Sequence, residues 1–305
     1  MSFRLRLLNL GLRWLARPGL ARAEDPVVSR VGFLRVARLF RMPPYVLHLE
    51  EPGLVPLHWV SVRRSNTDWV ILYLHGGAYA IGSPLTHLAL IARIARLTGL
   101  QIAAPDYRLA PEHPAPAAFE DAVAAHAVLM AKGYRPDRII LAGDSAGGGL
   151  ALALLAELCG RGLHPAGLFA FSPWTDLALT GDSLVRNAAR DVFIPAERMP
   201  VTVALVRGGL AVHDPRLSPL YARFDCPPPV MMQVGTTEIL LDDSRRMAEV
   251  LRSVGGEVVL REWPDCPHVW QMTDGYVPEA RAALLEVAGF VAGLVSSSTP
   301  RPDDN

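Results

Sequence analysis

Short apolar runs alternate along the chain with longer stretches in which apolar residues recur every three or four positions. The short runs predict strands over 46–50, 57–62, 69–74, 100–104, 138–142, 168–171, 230–234 and 257–262. The helical spacing predicts helices over 86–98, 116–132, 146–159, 244–254 and 279–295. From Trp69 onward strand and helix take turns, which is the pattern of a parallel sheet covered on both faces. Right-handed crossovers then distribute the helices over those faces.

Two stretches break this rhythm, 1–42 and 182–224. Neither offers a central strand, so the core is expected from 43–181 and 225–296. In a doubly wound sheet, ligands bind at the carboxyl ends of the strands. An insertion leaving that edge at 182–224 is placed to become a lid. The last residues, SSSTPRPDDN, read as a tail over about 297–305.

The first 23 residues have a basic start, an apolar stretch and an Ala21-Arg22-Ala23 ending that mimics a signal-peptide cleavage site. Asn9, Gly11 and Arg13 interrupt the apolar stretch, and Arg22 spoils the site. Leu5, Leu8, Leu12 and Leu15 instead fall at helical spacing. The expectation is an amphipathic helix packed on the body of the protein, with membrane-surface contact as the alternative and no stable membrane anchor. The longest apolar run, 146–156, is too short for a span, which needs about 20 residues.

Half the residues are apolar and 20% are charged, so a sizeable core can form and bulk disorder is excluded. Thirty basic residues balance 30 acidic ones, which argues against a nucleic-acid partner. The three cysteines, Cys159, Cys226 and Cys266, have neither metal nor redox spacing. A reducing cytoplasm fits them best.

Chemistry gathers where strands end. Gly143-Asp144-Ser145-Ala146-Gly147 fits G-x-S-x-G between the strand RIILAG and an apolar helix. A sharp strand-to-helix turn needs small residues and lifts the serine hydroxyl beside a helix N-terminus. A glycine turn with a capping serine would look the same, so the context must supply a base and an oxyanion site. His75-Gly76-Gly77-Ala78 follows the strand WVILYL, and its glycines let backbone N–H groups approach a ligand. His75 itself reads as a loop-positioning residue.

The base should come later in the chain. His268 lies in the loop after EVVLREW, while His48, His58, His87, His113, His126, His164 and His213 lie in strands, in a helix or away from strand ends. Three carboxylates follow the strand VMMQVG. Asp242 and Asp243 precede a helix and have a ready role as its caps and dipole partners. Glu238 has no such role and is the preferred partner for His268, with Asp242 as the alternative.

With these residues in place, the chain resembles the hormone-sensitive-lipase-like bacterial esterases among the α/β-hydrolases. The likeness rests on YLHGGAYAIGSPLTH (73–87), APDYRLAPEHPAPAAFEDA (104–122), LAGDSAGGGLALAL (141–154), SPWTDL (172–177), SPLYA (218–222), VGTTEILLDDS (234–244) and PHVWQ (267–271). SPWTDLALTG and EILLDD look like acetyl esterases and monoterpene lactone hydrolases in particular. The resemblance implies an α/β-hydrolase fold, with a mostly parallel eight-stranded sheet, helices on both faces and a helical cap.

It further implies a Ser145, Glu238, His268 triad and an oxyanion hole drawn from Gly76, Gly77, Ala78 and Ala146. No cofactor or metal is implied. The expected partner is a small uncharged acyl ester or lactone of short to medium chain, and a homodimer fits the same reading. The family loop usually carries a third glycine where this chain has Ala78, so the resemblance leaves the geometry of that N–H open. Cys266, next to this machinery, reads as a partly buried spectator. Two other functions fit the same residues: an amidase or formamidase on the same triad, and a non-catalytic small-molecule receptor on a hydrolase scaffold.

Overall fold

The computed structural model describes residues 1–62 and 64–297. In chain order the helices and strands are α1 (Phe3–Gly11), α2 (Arg17–Ala21), α3 (Pro26–Ala37), β1 (Val46–Glu51), β2 (Leu57–Val62), β3 (Asn66–Leu74), α4 (Leu88–Thr98), β4 (Leu100–Pro105) and α5 (Ala117–Ala131). They continue with β5 (Ile139–Asp144), α6 (Ser145–Gly160), β6 (Gly167–Phe171), α7 (Ser183–Arg186), α8 (Met199–Val206), β7 (Val230–Gly235), α9 (Leu241–Ser253), β8 (Val258–Trp263) and α10 (Pro278–Ser297).

The eight strands form one sheet in the order β1-β2-β4-β3-β5-β6-β7-β8. β1 and β2 pair antiparallel, β2 joins β4 antiparallel, and every other pairing is parallel. The run WVILYL shows why β3 is central. Val70, Leu72 and Leu74 point into a core shared with α5, α6 and α9, and Trp69, Ile71 and Tyr73 into one shared with α4 and α10. Both faces are buried, so the strand reads as continuously apolar rather than alternating.

α10 is the one helix among the described residues long and apolar enough to cross a membrane. Its Leu284, Val287, Val291 and Leu294 instead lie in the core beneath the sheet. It also runs through Ser296 and Ser297, so Ser297 is helical where the tail was expected to start; 298–305, the rest of that expectation, lie outside the described residues.

The N-terminal helix does pack on the body, but through a narrower stripe than the spacing suggests. Leu5 is fully buried, and Leu8 packs with it beside Cys266, Trp270, Val277 and Ala280. Leu15 is 80% exposed. A π turn over Leu12–Ala16 explains the loss, because its wider winding rotates later residues off the stripe.

The stretch 182–224 carries α7, α8 and short 3₁₀ turns, with no strand. It touches the N-terminal helices through arginines that reach for carbonyls. Arg13 donates to Ala189 and Arg190, Arg17 to Ala188, and Arg198 to Ala23.

Candidate active site

The strand register brings several loops to one edge. Leu74 lies opposite Gly143, Asp144 opposite Phe171, Phe171 opposite Gln233, and Gly235 opposite Trp263. The loops after β3, β5, β6, β7 and β8 therefore leave side by side.

At the first of these exits β5 turns directly into α6. Ser145 takes φ 52°, a left-handed conformation that a non-glycine residue adopts at a cost of about 1–3 kcal/mol. The turn closes because its neighbours have no side chains. A Cβ on Gly143 or Gly147 would run into the backbone carbonyl of Leu74, and on Gly147 also into that of His75. The start of α6 is thus pressed against the end of β3.

Asp144 ties the same two elements together from a fully buried position. Its Oδ1 accepts from Tyr73 Oη at 2.8 Å and from the Gly76 N–H at 3.0 Å. Its Oδ2 lies 3.2 Å from His87 Nε2. Burial would raise the Asp144 pKa, but the His87 charge and hydrogen bonds from His87 and Tyr73 bring it below the ordinary value. His87, read from sequence as remote from any strand-end cluster, is therefore part of the support under Ser145.

The loop 75–81 carries its own strain. Gly77 has φ 122°, Ala78 φ 52° and Tyr79 φ 58°. Among the described residues, the N–H groups of Gly77 and Ala78 donate to no other protein group. The Gly76 N–H is already given to Asp144, so Gly76 is removed from the candidate oxyanion donors. His75 is buried, stacks on Tyr107 at 4.1 Å and contacts the Gly76 carbonyl. Burial, with the neighbouring His87, lowers its pKa to about 3, so it is neutral and structural, as its position suggested.

Of the two carboxylates weighed for His268, Glu238 makes the contact. Its Oε2 lies 2.7 Å from His268 Nδ1, and its Oε1 accepts from Ser172 Oγ at 2.7 Å and the Gly235 N–H at 2.6 Å. Asp242 instead accepts from the Ser183 N–H and pairs with Arg186. α9 starts at Leu241, so neither Asp242 nor Asp243 is its N-cap; both lie in its first turn, where their charge suits the helix dipole as expected, and their side chains also serve other segments. Asp243 accepts from the N–H groups of Thr175 and Asp176 at 2.8 and 2.9 Å, fixing the loop after β6.

Burial alone would lower the His268 pKa. The hydrogen bond and charge of Glu238 outweigh it, with help from Asp191 and Asp144, and the net shift is upward. The Phe193 ring lies almost parallel to the imidazole, 6.1 Å away. Among the described residues no hydrogen bond joins the Ser145 hydroxyl to His268, a looseness common before substrate binds. Cys266 is fully rather than partly buried, and desolvation pushes its thiol far up, which makes it inert.

Three contributors had no decisive sequence signal. Ser172, at φ 46°, gives its hydroxyl to Glu238 and accepts from the Val269 N–H at 3.3 Å. Its signal was a lone small polar residue directly after β6. Asp191 is buried, and its Oδ2 accepts from the Ile239 N–H at 2.9 Å, next to Glu238 in sequence. Arg30 of α3 donates to the carbonyls of Ala80 and Ala110, holding the far end of the 75–81 loop.

Residues 71–272 match the family model described as alpha/beta hydrolase fold. An acetyl-hydrolase of Streptomyces hygroscopicus is 38% identical over 247 residues, 78% of this chain and 82% of its own. An esterase of Acinetobacter venetianus is 35% identical over 268 residues, covering 85% and 86%. Among solved structures, an esterase from the bacterial hormone-sensitive lipase family superposes with TM-score 0.90 at 37% identity, covering 97% of this chain and 99% of that one. The esterase EstE5 soaked with p-nitrophenyl butyrate gives TM-score 0.92 at 33% identity, covering 97% and 100%.

Proposed function

The chain belongs to the α/β-hydrolase fold family, with the bacterial hormone-sensitive-lipase esterases as its structural neighbours, and is a carboxylesterase; from that premise we propose a Ser145, His268, Glu238 mechanism on short- to medium-chain acyl esters or lactones. The observation that carries the proposal is the 2.7 Å contact between Glu238 Oε2 and His268 Nδ1, at the same sheet edge as Ser145.

In this reading His268 Nε2 takes the proton from Ser145 as the hydroxyl attacks the ester carbonyl. Glu238 fixes the imidazole so that Nδ1 keeps its proton and Nε2 is the free base. It then stabilises the imidazolium that forms. The N–H groups of Gly77, Ala78 and Ala146 receive the negative oxygen of the tetrahedral intermediate, each worth about 2.7–4 kcal/mol. His268 returns its proton to the leaving alcohol, giving an acyl-Ser145, and water reverses the sequence. Ala78 keeps its N–H, and its left-handed φ is the one a glycine would supply there. The segments 1–42 and 182–224, which hold each other through arginine–carbonyl bonds, form the cap over the acyl pocket.

The soaking ligand of the relative EstE5 supports a butyryl-sized chain. Initial rates on p-nitrophenyl esters of increasing acyl length, with a lactone and a matched anilide, test the substrate range. Hydrolysis should peak at short to medium esters and fail on the anilide. Faster turnover of the anilide would make the protein an amidase, and Ser145→Ala that retained ester hydrolysis would end the proposed mechanism.

A further inference from the structure

α1 carries two apolar stripes, and only one is used. Leu5 and Leu8 face the core, with Leu12 half-buried beyond them. Phe3, Leu7 and Leu10 follow the spacing of a second face of α1 and are 73%, 53% and 55% exposed, and Trp14, in the π turn just beyond, is 70% exposed. At 3.6 residues per turn the two stripes lie roughly 160° apart, on opposite sides of the helix. Leu15 adds 80% exposure beside Trp14, and Val28 and Leu39, in and beyond α3, are 68% and 70% exposed.

The charge of this segment says what fits the uncovered side. Residues 1–45 hold nine arginines against Glu24 and Asp25, a surplus of seven in a chain whose net charge is zero. Among the described residues only Arg17 and Arg30 pair with carboxylates, Glu197 and Glu112. Arg4, Arg6, Arg13, Arg22, Arg35, Arg38 and Arg41 are exposed without such a partner. An apolar stripe flanked by exposed arginines is complementary to a surface that is apolar beneath and anionic above. A second copy of the same segment would meet it with like charge. A nucleic acid would leave the aromatic and leucine side chains in water.

We propose that the α1 stripe Phe3, Leu7 and Leu10, continued by Trp14 in the turn beyond it and flanked by arginines, binds reversibly to the surface of an anionic lipid bilayer. The single short helix lies in the interface and does not span it. The contact is independent of the reaction, so it is measured without turnover.

Co-sedimentation with vesicles tests it. One set is equimolar phosphatidylglycerol and phosphatidylcholine, the other phosphatidylcholine alone. The wild-type chain should partition at least about tenfold more strongly to the anionic set, and about 0.5 M salt should reduce that preference. Leu7→Ser with Trp14→Ser should weaken binding to the anionic vesicles about tenfold or more. Arg4→Ser with Arg6→Ser, the two exposed arginines on α1 itself, should reduce the preference for anionic lipid. Thermal melts of both variants should match wild type, because none of these side chains is buried. Equal binding to both vesicle sets, no binding to either, or binding untouched by both variants overturns the proposal. So does a dimer in velocity sedimentation that Leu7→Ser with Trp14→Ser dissolves, which would make the stripe an interface between copies.

Discussion

The turn from β5 into α6 and the N-terminal helices are held in opposite ways. At the turn, backbone meets backbone: Gly143 and Gly147 leave no room for a Cβ, Ser145 is strained, and Asp144 spends both oxygens on neighbours. In the N-terminal segment, long arginine side chains reach for carbonyls across gaps, and much apolar surface faces outward. The difference is one of tolerance. Close-packed interiors answer to a single methyl, whereas long flexible contacts absorb change. Chemistry that needs reacting groups fixed within a fraction of an ångström belongs on the first kind of scaffold.

The sharpest way to break this contrast is at the His268 partner. Glu238→Gln should cut kcat/KM by about 10⁴-fold, because an amide there favours the wrong tautomer. It should also move the acid limb of the pH profile. In the proposed mechanism His268 must be neutral to act as base, and its raised pKa places the wild-type limb above the ordinary histidine value. Removing the Glu238 charge lowers that pKa, so the limb moves to lower pH. Asp191→Asn should move it the same way by less, since Asp191 acts on His268 only through its charge. A limb that stays fixed in both variants would detach these carboxylates from His268.

Next comes the turn itself. Gly147→Ala adds one methyl against the carbonyls of Leu74 and His75 and should destabilise by about 3 kcal/mol or abolish folding, read from denaturant unfolding. A smaller effect is expected where the two regions meet. Arg30→Met frees Ala80 and Ala110 and should lower kcat/KM by about tenfold, within the hundredfold that a 1 Å displacement costs. The smallest effect is in the helices. Leu15→Ser should change stability by no more than about 0.5 kcal/mol, although a leucine is lost, because the side chain is already in water.

The same contrast governs what could be read from the sequence. Strands such as β3 announce themselves because burial on both faces forces a continuous apolar run, and β2 falls over 57–62 as the pattern predicts. Ser145 was legible because its turn demands glycines at fixed offsets. Glu238 and His268 were legible by elimination, each at a strand end without another task. Ser172, Asp191 and His87 were not, because a buried polar residue declares its role only through partners distant in sequence, here Glu238, Ile239 and Asp144. The π turn that swings Leu15 into water leaves no mark in residue spacing, since the helical pattern assumes even winding.

The most direct test of the central claim is where a substrate-like group attaches. Wild-type protein treated with a fluorophosphonate should gain one adduct, located by peptide mapping on Ser145 and absent in Ser145→Ala, together with loss of p-nitrophenyl butyrate hydrolysis. An adduct on another residue, or full labelling of Ser145→Ala, would contradict it.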